Sequence, residues 1–207
     1  MKNLFYLVCF ISLLLFSCEK EKEENKTSTF ADTRDGKVYE CITVNGKTWF
    51  AENFSYQPPV AKSSAFNKNM SEPDIIDYSD GDIHFKLYKW NIISTIIPDG
   101  WHLPSEAEYD ELIQSLGGYN VAGNKLKAKG VWEGLGKETD EIGFSALPGS
   151  IDESGLNQGF LYTHFWTSTS VDDNNAKALT IWYGGPEINI TSNSKEKYYC
   201  VRFVKNN

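Results

Sequence analysis

The clearest periodic pattern of apolar positions in the chain follows Pro104. Apolar side chains recur there three and four residues apart, at Tyr109, Leu112, Ile113 and Leu116. This spacing places them on one face of an α-helix. Ser105 and Glu108 have the spacing of a capping box, in which the hydroxyl and the carboxylate each bond a free amide of the first turn. The pattern therefore predicts an amphipathic helix that starts after Ser105 and ends at Gly117-Gly118.

Other segments predict short strands. Residues 37–44 and 47–51 are rich in β-formers and flank Asn45-Gly46, a strong hairpin signal because both residues accept a positive φ. Residues 198–204 alternate in strand fashion. The polar, proline-containing residues 55–82 are predicted to form a long loop, and residues 83–93 a short helix. Two helices with several short antiparallel strands predict an α+β fold.

The N-terminus differs in composition from the rest of the chain. Lys2 precedes an apolar run, residues 4–16, that is interrupted only by Ser12. This run has the length of a signal-peptide core, about 7–15 residues, and is short of the roughly 20 that span a bilayer. Leu15-Phe16-Ser17-Cys18 has the form of a bacterial lipobox. We therefore predict a signal peptide at residues 1–17 and a lipid on Cys18; an uncleaved anchor helix with an incidental cysteine is the alternative.

Cys18 is followed by a charged segment without apolar residues up to Thr29. Such a segment cannot build a core, so residues 18–31 are interpreted as a lipidated cysteine with a solvated tether, and residues 32–207 as one domain. The acidic residues behind Cys18 also resemble surface-export signals of Bacteroidetes-type lipoproteins. The expected location is the outer membrane, at the cell surface. The net charge of −8 argues against nucleic acid as a partner.

Two cysteines, Cys41 and Cys200, remain in the predicted domain. An exported domain lies in an oxidising compartment, so an even number suggests one disulfide. Two independent buried thiols are the alternative.

No catalytic residue, metal site or cofactor is predicted. The three histidines, His84, His102 and His164, lack metal-ligand spacing. The acidic runs at residues 74–82 and 172–175 do not follow the calcium-loop pattern and are interpreted as solvated loops. Nucleophile-elbow and phosphate-loop motifs are absent from the sequence. Trp182 and Tyr183, next to Gly184-Gly185, are the candidate ligand-binding residues, because aromatic rings beside a glycine turn can stack on a ligand.

Several motifs occur in the fixed order of a known family. They are Val44-Asn45-Gly46-Lys47-Thr48-Trp49-Phe50-Ala51-Glu52-Asn53, Leu87-Tyr88-Lys89-Trp90, Pro98-Asp99-Gly100-Trp101-His102-Leu103-Pro104-Ser105, Leu116-Gly117-Gly118, Ala122-Gly123-Asn124-Lys125-Leu126-Lys127, Gly143-Phe144-Ser145-Ala146-Leu147-Pro148-Gly149, Phe165-Trp166-Thr167-Ser168-Thr169 and Val201-Arg202. Over about residues 32–205 the chain resembles the Fibrobacter succinogenes major paralogous domain family. The resemblance implies a C-type-lectin-like fold: paired chain ends, two helices, small antiparallel sheets and long loops. It also implies an exported or surface lipoprotein.

The chain departs from this family at two positions. The family usually carries cysteines where this sequence has Ile97 and Phe203. The resemblance therefore implies that the family's disulfide is relocated to Cys41 and Cys200, provided that the first and last strands are neighbours.

Together these observations predict a membrane-anchored exported protein whose single domain binds a glycan or a surface protein and does not catalyse a reaction. A carbohydrate-active or cell-wall enzyme is one alternative, which converging acidic side chains in a deep pocket would favour. A purely structural component of the cell surface is the other.

Overall fold

The computed structural model describes residues 26–59, 73–133, 137–151 and 161–206. The predicted signal peptide and Cys18 lie outside these residues. The strands are β1 (Lys26–Ala31), β2 (Val38–Val44), β3 (Lys47–Phe50), β4 (Ile75–Asp80), β5 (Ile83–Tyr88), β6 (Trp101–His102), β7 (Tyr162–Ser170), β8 (Asn175–Trp182), β9 (Ile188–Ser194) and β10 (Val204–Lys205). The helices are α1 (Trp90–Ile93), α2 (Glu106–Ser115) and α3 (Ala122–Leu126). No helix in the described part of the chain is long and apolar enough to cross a membrane.

The strands form three antiparallel sheets. The largest has the order β1-β2-β3-β10-β6, a second has the order β7-β8-β9, and β4 and β5 form a separate hairpin. Small helices with small antiparallel sheets are the predicted α+β arrangement, although the described residues contain three short helices where two were predicted.

The two strongest local predictions are confirmed. Asn45 and Gly46, with φ of 51° and 74°, form the turn between β2 and β3. At the start of α2 the Ser105 hydroxyl accepts a hydrogen bond from the Glu108 amide, and the Glu108 carboxylate accepts one from the Ser105 amide. The predicted apolar face of α2 is buried. Both features depend on residues within a few positions of one another.

Two predictions for residues 55–93 were wrong. Strand β4 lies inside the predicted loop, and residues 83–88 form β5 where a helix was predicted. In β5 the buried Ile83, Phe85 and Leu87 alternate with the less buried His84 and Lys86, which is the two-residue period of a strand. Helix α1 covers only the last four residues of the predicted helix.

The structured region starts earlier than the predicted domain. Strand β1 begins at Lys26 and pairs with β2 over its whole length. Most of its side chains are exposed. A strand at the edge of a sheet is held by backbone hydrogen bonds, so a segment without a hydrophobic pattern can still join it. Residues 26–31 therefore belong to the folded unit and not to the predicted tether.

Two hydrophobic cores lie on either side of residues 199–204, which we call the C-terminal segment. The helix-side core packs the buried face of α2 against Trp49, Phe144 and Phe165. The aromatic core contains Phe50, Phe54, Trp101, Trp166 and Phe203. Cys200 and Val204 face the helix-side core, whereas Val201 and Phe203 face the aromatic core. The predicted alternation of this segment is therefore confirmed.

The predicted disulfide is not formed: Cys41 and Cys200 are both free and buried. Cys41 pairs with Phe50 across β2 and β3, and the Phe50 amide donates to Phe203 O, so β3 lies between Cys41 and the C-terminal segment. Two strand spacings amount to about 10 Å. A disulfide needs Cα atoms within about 7 Å.

The two thiols also lie in different chemical surroundings. Cys41 belongs to the aromatic core and Cys200 to the helix-side core, where its sulfur accepts a hydrogen bond from Asn53 Nδ2 at 3.3 Å. Burial raises the pKa of Cys41 to about 11 and that of Cys200 to about 12. Both groups are protonated and unreactive at neutral pH.

Candidate ligand-binding site

The sheet β7-β8-β9 brings aromatic and polar side chains together at one end of one face. On the other face Phe165, Leu179 and Ile181 belong to the helix-side core. The face that carries the candidate site is buried in the aromatic core at Trp166 and Ala178. Toward the start of β7 and the end of β8 its side chains are half-buried; these are Tyr162, His164, Thr180 and Trp182.

Tyr162 and Trp182 are cross-strand partners, as are His164 and Thr180. Side chains directly opposite in an antiparallel pair have Cβ atoms about 4.5–5.5 Å apart. The Trp182 ring also meets the ring of Tyr183 edge-to-face, with centroids 5.8 Å apart. We call Tyr162, His164, Trp182 and Tyr183 the aromatic strip. The two residues chosen from the sequence, Trp182 and Tyr183, are thus in contact at one end of the sheet.

The aromatic strip rests on rings that reach into the core. Tyr162 stacks on His164 with centroids 6.1 Å apart, and His164 stacks on the buried Tyr199 at 4.4 Å. Tyr199 in turn lies 4.5 Å from Trp166, whose indole N–H donates to Tyr88 O at 2.8 Å. A column anchored in this way holds the half-exposed rings in fixed positions before any ligand arrives.

The imidazole of His164 in the strip is uncharged at neutral pH. Burial lowers the pKa of His164 to about 4, and the positive charge of Lys197 adds to this effect. His164 Nδ1 lies 2.9 Å from the hydroxyl oxygen of Thr180. The imidazole is therefore a neutral hydrogen-bonding group, and the strip suits an uncharged ligand.

Gly184, directly after Tyr183, is required by the position of the Trp182 ring. A Cβ added at Gly184 would lie 2.4 Å from Cζ3 of Trp182, and one at Gly185 would lie 3.2 Å from Cζ2 of the same ring. The indole therefore packs on the backbone of this turn, which fixes its orientation. Tyr183 is 38% exposed, the largest exposed fraction among the aromatic residues of the described chain.

Tyr183 also lines a recess beside the strip. Its cavity volume is about 50 Å³, and it is lined by Asn124, Lys137, Glu138, Tyr183, Gly184, Gly185 and Pro186. A cavity of about 150 Å³ accepts a benzene ring. The recess is therefore too small for a sugar ring and can hold only a substituent of a few heavy atoms.

Lys127, below the recess, was not singled out from the sequence. Its side chain is fully buried, and its Nζ donates to Gly185 O at 2.8 Å, to Asn124 Oδ1 at 3.3 Å and to Tyr183 O at 3.5 Å. Burial lowers its pKa. A lysine is normally taken to be solvated, so no signal in the sequence pointed to this role. Lys127 fixes both the glycine turn and the Asn124 amide.

The upstream half of the strip could have been found from the sequence. Tyr162 and His164 continue, at a period of two, the alternation that the Phe165-Trp166 motif begins. The sequence interpretation started this strand at Phe165 and so missed both residues.

The acidic turn at residues 172–175 is bonded internally. The Asp172 carboxylate accepts hydrogen bonds from the amides of Asn174 and Asn175 and from the Asn175 side chain. Lys195 Nζ donates to Ser170 Oγ, Asp172 O and Asp173 O at 2.9, 2.8 and 3.3 Å. The Lys195 ammonium group therefore contacts oxygen atoms that could otherwise act as calcium ligands.

The other two histidines lie elsewhere. His84 is exposed on β5, and His102 bonds Glu108 Oε1 at 2.9 Å and Asn206 Oδ1 at 2.7 Å, which ties β6 to α2 and to the C-terminus. Among the described residues, no three His, Cys, Asp or Glu side chains are grouped so that they could hold a metal ion.

A comparison with known protein families shows to which family the chain belongs. The family model described as the Fibrobacter succinogenes major domain matches residues 42–205. The chain belongs to this family. The resemblance of the sequence motifs is thereby confirmed, and the Fibrobacter succinogenes major domain runs here from β2 to β10, including the aromatic strip and the recess. Neither the curated proteins nor the solved structures contain a match to the chain.

Proposed function

We propose that the protein is a non-catalytic binding module that recognises a neutral glycan at the aromatic strip. The observation that carries this proposal is the cross-strand pair of Tyr162 and Trp182, held by the column that reaches Trp166. Half-exposed aromatic rings offer apolar faces of the size of a sugar ring at little cost in side-chain entropy.

Polar side chains beside the strip support a glycan ligand. Asn189 pairs with Thr180 and Thr191 pairs with Ala178 across β8 and β9, so both share the face of the strip, and both are exposed. Their amide and hydroxyl groups can exchange hydrogen bonds with sugar hydroxyls. The uncharged strip and the net charge of −8 favour neutral over acidic glycans.

The proposal includes a C-type-lectin-like arrangement of the domain. The C-terminal strand β10 lies in the same sheet as the N-terminal strands β1–β3, and the candidate site lies on a second, smaller sheet. Loops and strand ends on such a rigid scaffold are suited to ligand binding.

Replacing Trp182 by alanine tests the proposed site. We expect the variant to lose about 30-fold in affinity, because truncating a central tryptophan costs about 2 kcal/mol or more. Full-length protein in a detergent without a sugar headgroup is screened on an array of neutral oligosaccharides. The affinity for the best binder is then measured by calorimetry.

The matched control is Val171→Ala, which removes an exposed apolar side chain at the opposite end of the same strands. It should bind as the wild type does. Absence of binding to every oligosaccharide, or unchanged affinity in Trp182→Ala, would contradict the proposal.

We further propose that the module is lipid-anchored through Cys18 at the outer membrane. The lipobox sequence Leu15-Phe16-Ser17-Cys18 supports this proposal.

Cys18→Ser should move the protein from the membrane fraction to the soluble fraction and abolish incorporation of labelled palmitate, because the acyl chains supply the membrane affinity. Cys9→Ser, in the apolar run of the signal peptide, is the matched control and should remain membrane-bound. A Cys18→Ser protein that still carries label would refute lipidation at this position.

A further inference from the structure

We propose that the recess beside Tyr183 is a subsite for the acetamido group of an N-acetylated sugar, whose ring stacks on the aromatic strip. This inference rests on the proposed glycan-binding function. It assigns the recess to one substituent, and it thereby names the class of glycan that binds: neutral oligosaccharides that contain 2-acetamido sugars.

The size of the recess is the first argument. At about 50 Å³ it has one third of the volume that accepts the six carbons of benzene. A group of two to four heavy atoms fits this space. The acetamido group has four heavy atoms beyond the sugar ring, whereas a hydroxyl group has one and would leave most of the recess to solvent.

The second argument is the orientation of the Asn124 amide. Lys127 Nζ is purely a donor and lies 3.3 Å from Asn124 Oδ1, so this contact identifies the oxygen end of the amide. The Asn124 Nδ2 group is left as the available donor, and Asn124 lines the recess. It can donate to the carbonyl oxygen of an acetamido group.

Two other lining residues, Glu138 and Pro186, match the other parts of an acetamido group. Glu138 offers a carboxylate that can accept a hydrogen bond from the acetamido N–H, and Pro186 with the glycine turn offers apolar surface for the methyl group. A donor, an acceptor and an apolar wall are the three contacts that an acetamido group requires.

The Tyr183 side chain joins the two parts of the site. It lines the recess and also contacts the Trp182 ring. A sugar ring that stacks on Trp182 and extends over Tyr183 would bring a ring substituent to the recess.

The test compares three soluble β-1,4-linked tetramers, of N-acetylglucosamine, of glucosamine and of glucose, by calorimetry with the full-length protein. We expect the N-acetylated tetramer to bind about tenfold more tightly than the glucose tetramer, because one added hydrogen bond to a positioned group is worth about that factor. Asn124→Asp removes the Nδ2 donor and keeps the oxygen that faces Lys127. It should abolish the preference for the N-acetylated tetramer over the glucose tetramer.

Asn91→Asp is the matched control, since Asn91 is an exposed asparagine in α1, outside the site. It should keep the preference. Thermal unfolding midpoints of both variants should equal that of the wild type, which checks that the fold is retained. Equal affinity for the N-acetylated and glucose tetramers, or tighter binding of the glucosamine tetramer at high salt, would overturn the acetamido subsite and leave the proposed function standing. If Trp182→Ala binds all tetramers as the wild type does, the proposed function falls as well.

Discussion

Arg202→Met is expected to lower the free energy of unfolding by about 3–5 kcal/mol, because several buried acceptors would lose their donor at about 1–3 kcal/mol each. The guanidinium is fully buried and donates to Asn53 Oδ1 at 2.8 Å. It also donates to backbone carbonyls of Phe50, Phe144 and Ser145 at 3.1, 2.9 and 3.2 Å. Methionine has similar bulk but no donor, so these buried acceptors would lose their partner.

Arg202 is protonated in the folded protein although it is buried. Burial lowers its pKa to about 10, still well above neutral pH. Its guanidinium lies over the rings of Phe144 and Phe165, with centroid distances of 4.7 and 5.4 Å. Cation–π attraction and the carbonyl oxygens therefore replace the water that the charge loses. This single side chain links the segment after β3, the segment at residues 144–145 and β7.

Urea unfolding followed by far-ultraviolet circular dichroism measures the effect. Arg202→Lys should lose less stability than Arg202→Met, since an ammonium group can satisfy some of the carbonyls but not all of them. Lys177→Met removes a half-exposed cation that lies 3.6 Å from Glu106, and it should change stability by less than about 1 kcal/mol. An Arg202→Met protein with wild-type stability would show that the carbonyls find other donors.

Trp166→Ala is expected to lower the free energy of unfolding by about 3–5 kcal/mol, the usual cost of truncating a buried tryptophan. The Trp166 side chain is fully buried, and its indole N–H donates to Tyr88 O at 2.8 Å. It is also the innermost ring of the column that supports the aromatic strip. The variant should therefore lose glycan affinity together with stability, because Tyr199 and His164 would no longer be held in place.

Two variants separate the contributions of packing and of the hydrogen bond. Trp166→Phe keeps most of the ring contact and loses the N–H, so it should cost about 1 kcal/mol, the net contribution of one hydrogen bond, because Tyr88 O still accepts from the Tyr199 amide at 3.1 Å. Trp182→Ala, at the half-exposed end of the strip, should lose binding with a much smaller loss of stability. If Trp166→Ala proved as stable as the wild type, the column would not be anchored in the core as described.

In the acidic turn at residues 172–175, oxygens that could bind calcium already accept hydrogen bonds from protein donors. The Asp172 carboxylate already accepts three hydrogen bonds from nitrogen donors through Oδ1, and Lys195 lies among the neighbouring oxygens. A lysine in this position stabilises the turn between β7 and β8 without a metal. The glycan interaction proposed above therefore relies on the strip and the recess and not on this turn.

The amino-acid sequence alone determined the features that depend on near neighbours. The hairpin at Asn45-Gly46 follows from two residues that accept positive φ, and α2 follows from the capping box at Ser105 and the apolar face behind it. The family could also be recognised from the sequence, because its motifs are short runs of consecutive residues. The choice of Trp182 and Tyr183 rested on the same kind of local signal, a glycine turn beside aromatic residues.

Only the tertiary structure decided which distant segments meet. Arg202 and Asn53 are 149 positions apart, and Lys127 and Gly185 are 58 apart. Burial of a charged side chain depends on carbonyls that such segments supply, so the roles of Arg202 and Lys127 could not be derived from local pattern. The same reason explains the incorrect disulfide: strand parity correctly gave the face of Cys200, but the order of strands in the sheet placed β3 between the C-terminal segment and Cys41.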